Sequence, residues 1–298
     1  MTKGAFFAIV AYTLWGLLPL FWKQLTSVPA DQILCHRIIW SVPFLLFLLV
    51  LSRKWKWVKL LIQKPKTLLF FMLTALLLSV NWFTYIWSVN SGYTVDASLG
   101  YFINPLISVA LGVIILKERL RPWQIIAIGI AALGVIYLTL ALGKLPWIGL
   151  TLAISFGFYG LLRKLAPLEA VEGLFLETVL LLLPALLLLG IRFKQGQGSF
   201  PVPELSTTFY LIMAGIVTSI PLVFFAAGAR RISLSSLGIL QYIAPSLQFL
   251  LGVFVFREFF PQIKIIGFSI IWLALIIYSL ENYFFHNFYL KLSKVRAN

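Results

Sequence analysis

The chain has 298 residues, 61% of them apolar and only 11% charged, and its mean hydropathy is +0.99. No aqueous surface can be built from that composition, so a soluble domain is excluded, and the net charge of +15 has to be explained by where the basic residues fall. Cys35 is the one cysteine, which excludes an intrachain disulfide and any two-cysteine metal or redox motif.

Cutting the sequence at its charged and turn-rich points leaves ten apolar runs of about 17 to 24 residues, each long enough to cross roughly 30 Å of hydrocarbon. In chain order they are 4–22, 32–51, 67–89, 97–116, 123–142, 146–162, 171–191, 207–229, 234–256 and 263–280. The first follows basic Lys3 as a signal peptide would, but it ends at Trp22-Lys23 without a small-residue cleavage site and is expected to remain as a span. Two connections stand out. Residues 53–66 carry Arg53, Lys54, Lys56, Lys59, Lys64 and Lys66, and 192–206 carry Gln195-Gly196-Gln197-Gly198-Ser199 and Pro201-Val202-Pro203, the composition of an exposed loop.

Basic residues alternate with the spans. With the N-terminus in the cytoplasm, seventeen fall in inner segments, six in outer ones, and Arg37 lies inside a span. That bias places both termini in the cytoplasm of an inner (plasma) membrane protein. The charge is therefore a topological signal and no nucleic-acid partner is expected. The six cations of 53–66 either only orient the chain or also hold anionic lipid, at about 1 kcal/mol each.

A motif occurs twice: Pro105-x6-Gly112-x5-Glu118 recurs as Pro245-x6-Gly252-x5-Glu258, 140 residues later. Ala11-Tyr12-Thr13-Leu14-Trp15-Gly16 pairs with Ser155-Phe156-Gly157-Phe158-Tyr159-Gly160, and Ile128-Gly129 with Ile266-Gly267. Each half thus holds five spans, 4–142 and 146–281, followed by a short basic tail, 282–298. Five is odd, so the second half enters the membrane from the opposite side. The expected fold is an all-α polytopic membrane protein of ten helices in two inverted repeats, with a site near the midplane between them.

With those segments in view, the chain resembles the drug/metabolite transporter superfamily and specifically its EamA-type permeases. The resemblance covers nearly the whole chain. Further segments that carry it are Val28-Pro29-Ala30-Asp31 with His36-Arg37, Ala97-Ser98-Leu99-Gly100-Tyr101-Phe102-Ile103-Asn104-Pro105, and Gln241-Tyr242-Ile243-Ala244-Pro245. It implies a ten-helix inner-membrane permease for small organic molecules, with the first four helices of each half forming the transport bundle and the fifth often a scaffold.

The residues themselves point to where a solute could sit. Tyr101, Asn104, Pro105 and Ser108 share one helical face, as do Gln241, Pro245 and Gln248, and Asn81, Tyr85 and Ser88. An amide facing lipid has no partner, so these stripes are expected to face inward, either lining a cavity or bonding helix to helix. Pro105 and Pro245 would then act as gates. Trp15 and Tyr159 correspond through the repeat and adjoin Gly16 and Gly160, which permit close backbone approach; with Tyr242 they complete the candidate cavity residues.

Charges inside spans need a reason, because a bare charge costs several kcal/mol at the bilayer centre. His36 and Arg37 lie about 8 to 9 Å along the helix from Asp31 at 1.5 Å per residue. Arg37 either snorkels outward or pairs with a substrate carboxylate, and with Glu177 when the site is empty. Glu177 corresponds to His36 through the repeat, and both are candidates for proton coupling, since a cationic neighbour that moved would switch the charge of a buried carboxyl.

Other chemistries lack their signals. There is no G-x-x-x-x-G-K-[ST] loop, no H-E-x-x-H and no G-x-S-x-G, so neither a cofactor nor a metal is expected, and no enzyme. The leading expectation is a secondary-active permease that exports a small organic metabolite or a drug-like or amino-acid-like solute by alternating access. A non-transporting membrane assembly or sensor protein, or an intramembrane enzyme acting on a lipid-linked substrate, stays open beside it. So do the solute, the coupling ion and the oligomeric state.

Overall fold

The computed structural model describes residues 2–53, 55–91, 93–141, 147–200, 205–257 and 262–296; side chains are not described at 86, 89, 90, 94–99, 264, 268 and 282–296. Of the residues invoked above, Lys54, Pro201, Val202, Pro203, Glu258 and the junction 142–146 lie outside the described residues.

All regular elements among them are helical: α1 Lys3–Trp22, a short turn Lys23–Leu25, α2 Ala30–Ser52, α3 Lys56–Gln63, α4 Lys66–Asn90, α5 Thr94–Ile114, α6 Pro122–Ala141, α7 Trp147–Leu165, α8 Ala170–Lys194, α9 Leu205–Ala229, α10 Leu234–Leu240, α11 Ile243–Leu250 with a π turn Leu251–Val255, and α12 Gln262–Arg296. Eight described stretches are long and apolar enough to cross a membrane, and two shorter apolar helices, Gly100–Ile114 and Ile265–Glu281, fall within α5 and α12. The chain is a multi-pass membrane protein. Its outer flanks agree, since Leu69, Phe83, Leu140, Leu183 and Phe209 are exposed where hydrocarbon would cover them.

Helix ends follow from local chemistry. The Thr2 hydroxyl accepts from the Ala5 amide at 3.3 Å to start α1, and Glu169 with Glu172 forms a reciprocal capping box at α8. The start of α10 is capped twice, by Ser233 and by Glu118, whose carboxylate accepts from the amides of Leu234 at 2.6 Å and Ser235 at 2.9 Å. Glu118, at the end of the duplicated motif, thus holds the far half of the molecule.

Helix packing comes in matched sets. α5 lies on α7 as α1 lies on α11; α4 on α7 as α1 on α9; α2 on α9 as α4 on α8; and α2 pairs with α8, α5 with α10, and α6 with α12. α2 and α8 run antiparallel, because Asp31 at the start of α2 pairs with Arg192 near the end of α8 at 2.7 Å. Gln32 clamps the following loop there, donating to the Gln197 carbonyl at 2.6 Å and accepting from the Ser199 amide at 2.8 Å.

Three features differ from the sequence reading. The basic segment 53–66 is not all loop but contains α3. On that helix Trp57 is buried and Leu60 and Leu61 pack beside it, while Val58 and Ile62 are exposed, an arrangement suited to lying in the membrane surface. The ninth run is not one helix: it breaks at Gln241 and Tyr242, between α10 and α11. Pro245 has no amide hydrogen for the Gln241 carbonyl, and the Ala244 amide takes that carbonyl instead at 3.1 Å. α5 passes through Pro105 without such a break, so the two prolines of the repeat act differently.

Candidate functional site

A cavity of about 200 Å³ lies between the helices. Its walls are Tyr12, Trp15, Pro19 and Trp22 of α1, Arg37 of α2, Asn81, Trp82 and Tyr85 of α4, Gly100, Tyr101 and Asn104 of α5, Leu152 and Phe156 of α7, Leu222 of α9, and Gln241, Ala244, Pro245 and Gln248 around α11. Both proline helices contribute, and Asn104 and Gln241 share the one cavity.

The polar groups are fixed by bonds between helices. Asn81 donates to the Leu152 carbonyl at 2.9 Å and to Ser155 Oγ at 3.1 Å, and Asn104 donates to the Ala153 carbonyl at 2.7 Å. The two readings of the amide stripes, lining and bonding, therefore hold at once. Pro19 leaves the Trp15 carbonyl without its usual helical partner, and Gln248 Nε2 donates to it at 3.3 Å. The missing side chain of Gly16 makes this approach possible: a Cβ there would meet Leu247 Cβ at 2.7 Å and the Ala244 carbonyl oxygen at 3.2 Å. Gly160 has no matching role, since a Cβ there would meet the Phe225 ring and no backbone.

Arg37 is the one fully charged side chain among the described residues of the lining. Its Nε donates to Thr218 Oγ1 at 2.9 Å. The guanidinium carbon sits 5.0 Å from the ring centre of Trp22 and 4.9 Å from that of Trp82, a cation held between two indole faces. Tyr85 and Tyr101 lie beside it, their rings 6.1 Å apart and set edge to face.

Below the cavity is an aromatic floor. Trp15 meets Phe156 at 5.6 Å and Phe225 at 5.5 Å, and Tyr159 stacks on Phe225 at 6.0 Å with planes 10° apart. Tyr12, Tyr159 and Phe225 are buried.

Five of the residues expected at the site are not in the cavity wall. Pro105 faces α10, where a Cβ on Gly238 would meet its carbonyl oxygen at 2.8 Å. Tyr242 is buried and its hydroxyl donates to the Phe102 carbonyl at 3.1 Å, bracing α11 to α5. His36 is buried, accepts from Trp40 Nε1 at 3.3 Å, and packs on Phe200 at 4.9 Å. Tyr159 donates to Glu177 Oε2 at 3.1 Å.

Glu177 itself is paired with Arg163 at 3.3 Å, both side chains fully buried, so the expected pairing of Glu177 with Arg37 is corrected. Arg163 also donates to the Ala170 carbonyl at 2.9 Å. Gly173 leaves the room this needs, since a Cβ there would collide with the guanidinium and with Phe71. The sequence reading missed Arg163 because it ended the span at 162 and counted the charge with the loop. The signal available was Glu177, a buried carboxylate that required a cation. Trp22, Trp82 and Thr218 were missed as well, Trp22 because a tryptophan at a helix end reads as an interfacial anchor. No group of three or more metal-ligating side chains occurs among the described residues.

The EamA-like transporter family matches residues 2–140. Protein RarD of Streptomyces exfoliatus is 46% identical over 277 residues, 92% of this chain and 87% of that protein. Uncharacterized transporter YojE of Bacillus subtilis (strain 168) is 44% identical over 93% of each chain, and Protein RarD of Escherichia coli (strain K12) 42% identical over 94% of each. A solved crystal structure superposes with a TM-score of 0.70 at 19% identity, over 94% of this chain and 98% of that one, a likeness of fold alone. At 42–46% identity along nearly its full length, the chain belongs to the EamA-like transporter family of the drug/metabolite transporter superfamily, with RarD proteins among its relatives.

Proposed function

We propose that the chain is a secondary-active permease of the inner membrane that exports a small organic metabolite by alternating access. Its parts would be two inverted five-helix halves, 4–142 and 146–281, making ten spans with both termini in the cytoplasm. The observation that carries this reading is the cavity, whose walls come from both proline helices and from α1 and α7, the first helices of the two halves. The matched packing sets support a two-fold relation. At about 200 Å³ the cavity falls below the roughly 300–1,000 Å³ of drug-sized sites, which favours a small solute.

In this reading the aromatic floor is the closed gate. The break at Gln241 and Tyr242 is the hinge, because a backbone already without regular helix bonds bends most easily. Proton coupling through Glu177 or His36 is a narrower reading. In a proton-driven cycle Glu177→Gln abolishes uphill transport and spares exchange; if the pair with Arg163 is only a structural tie, the substitution lowers stability and leaves the pH dependence of transport unchanged.

Counterflow in sealed proteoliposomes tests the proposal. A carrier preloaded with unlabelled solute accumulates labelled solute transiently, and Asn104→Ala, which removes one wall and its bond to α7, reduces that accumulation. Membrane assembly or sensor proteins and intramembrane enzymes give no exchange. Absence of counterflow across a panel of small organic acids, amines and neutral solutes would end the permease reading.

A further inference from the structure

The cavity has a charge imbalance that specifies its occupant. Arg37 lies in its wall, and no Asp or Glu is among the described residues there. Nε is engaged by Thr218, while the two terminal amino groups have no hydrogen-bond partner among the described residues. The indoles of Trp22 and Trp82, 5.0 and 4.9 Å away, cover the guanidinium and hold it in place. A planar guanidinium anchored through Nε presents its two outer nitrogens as a fork that matches two carboxylate oxygens. A cation at membrane depth without a counter-ion is costly, and an anionic ligand in the cavity lowers that cost.

Other polar groups lie on α5 and at the break before α11. Asn104 uses its amino group on the Ala153 carbonyl, and its Oδ1 is buried without surface open to the cavity. The Gln241 side chain makes no hydrogen bond among the described residues and faces the same space. Asn81, Tyr85 and Tyr101 are further polar parts of the wall, and Trp15, Phe156, Leu152 and Leu222 are apolar parts of it.

We infer that this cavity binds a small organic monoanion: a carboxylate taken by the Arg37 fork, a planar or branched apolar body against Trp15 and Phe156, and a hydroxyl or N–H donated to Gln241. The inference rests on the permease reading for its function and deepens it by naming the substrate class. It is narrower than an amino-acid-like solute, because an ammonium group finds no carboxylate in the described wall. An isolated amine is disfavoured doubly, by that lack and by repulsion from Arg37.

The test uses the purified full-length protein at pH 7 and three matched probes, 3-phenylpropanoate, 3-phenylpropanamide and 2-phenylethylammonium, with phenylalanine as the zwitterion. Binding is read by the rise in Tm and by quenching of tryptophan fluorescence. The carboxylate is expected to bind at least tenfold more tightly than the amide, with the ammonium and the zwitterion weaker still, as charge-assisted hydrogen bonds imply. In Arg37→Gln the carboxylate falls to within about twofold of the amide, and Arg37→Lys retains part of the preference. Thr218→Val, which frees Nε and leaves the charge, weakens the carboxylate severalfold, so a poorly folding Arg37→Gln does not end the test.

An acid that binds no better than the amide in the wild-type protein overturns the inference, as does a preference that survives Arg37→Gln. The same probes in counterflow separate the two readings. Exchange of the ammonium but not the acid keeps the permease and discards the anion site. Acid binding without exchange keeps the anion site and discards the permease.

Discussion

Arg37 on α2 and Arg163 on α7 both sit on membrane-length helices, and their surroundings are opposite. Arg163 is sealed: no surface is exposed, Glu177 pairs with it at 3.3 Å, the Ala170 carbonyl takes a second donor, and Tyr159 completes the carboxylate's shell. Arg37 lies in a cavity wall between two indoles, with one hydroxyl bond and no carboxylate among the described residues. A buried charge whose partner is built in contributes to holding helices in register. A half-buried charge left without one in a cavity wall is positioned for something the chain does not itself supply.

The contrast breaks most readily at Arg163. Arg163→Gln leaves Glu177 buried without its cation and should cost about 3–5 kcal/mol, seen as a large drop in Tm and in yield of folded protein. Replacing both partners, Arg163→Met with Glu177→Leu, should recover much of the loss, since an apolar pair of similar volume has no charge to desolvate. A stable Arg163→Gln single variant would show that the pair is not a tie.

Arg37→Gln should do the reverse. It loses one hydrogen bond, worth about 0.5–1.5 kcal/mol, and relieves an unpaired charge, so Tm should move little while transport falls at least tenfold. Tyr159→Phe removes one donor from the Glu177 carboxylate and should cost about 1–3 kcal/mol in stability while leaving transport and solute preference unchanged. The weakest effect belongs to Asp31→Asn. The Asp31–Arg192 pair is partly exposed, at 22% and 37%, so its loss should fall within about 1 kcal/mol by thermal unfolding.

Most of the fold was legible because lipid imposes a coarse rule, that every span be apolar and helical. The apolar runs fall on helices among the described residues, except that the ninth is broken at Gln241 and Tyr242 and the helix of the tenth continues to Arg296, and the stripe of Gln241, Pro245 and Gln248 does line one cavity. Pairing between distant residues was not legible. Glu177 corresponds through the repeat to His36, the neighbour of Arg37, but α2 and α8 are antiparallel with Asp31 against Arg192. Arg37 is six residues in from that contact and Glu177 fifteen, so about 13 Å separates them along the helix axes at 1.5 Å per residue. Correspondence through an inverting repeat puts residues at opposite ends, not side by side. α3 was missed for another reason: it has only two turns and sits among six cations, and the signal available was Trp57, Leu60 and Leu61 at i, i+3 and i+4.

The central claim is that the cavity holding Arg37 is where solute is carried. Counterflow of labelled 3-phenylpropanoate in sealed proteoliposomes tests it most directly, comparing the wild-type protein with Arg37→Gln and Asp31→Asn at matched reconstitution. The account predicts transient accumulation in the wild type and in Asp31→Asn, and its loss in Arg37→Gln while the Tm of that variant stays near the wild-type value. Equal accumulation in wild type and Arg37→Gln would contradict it.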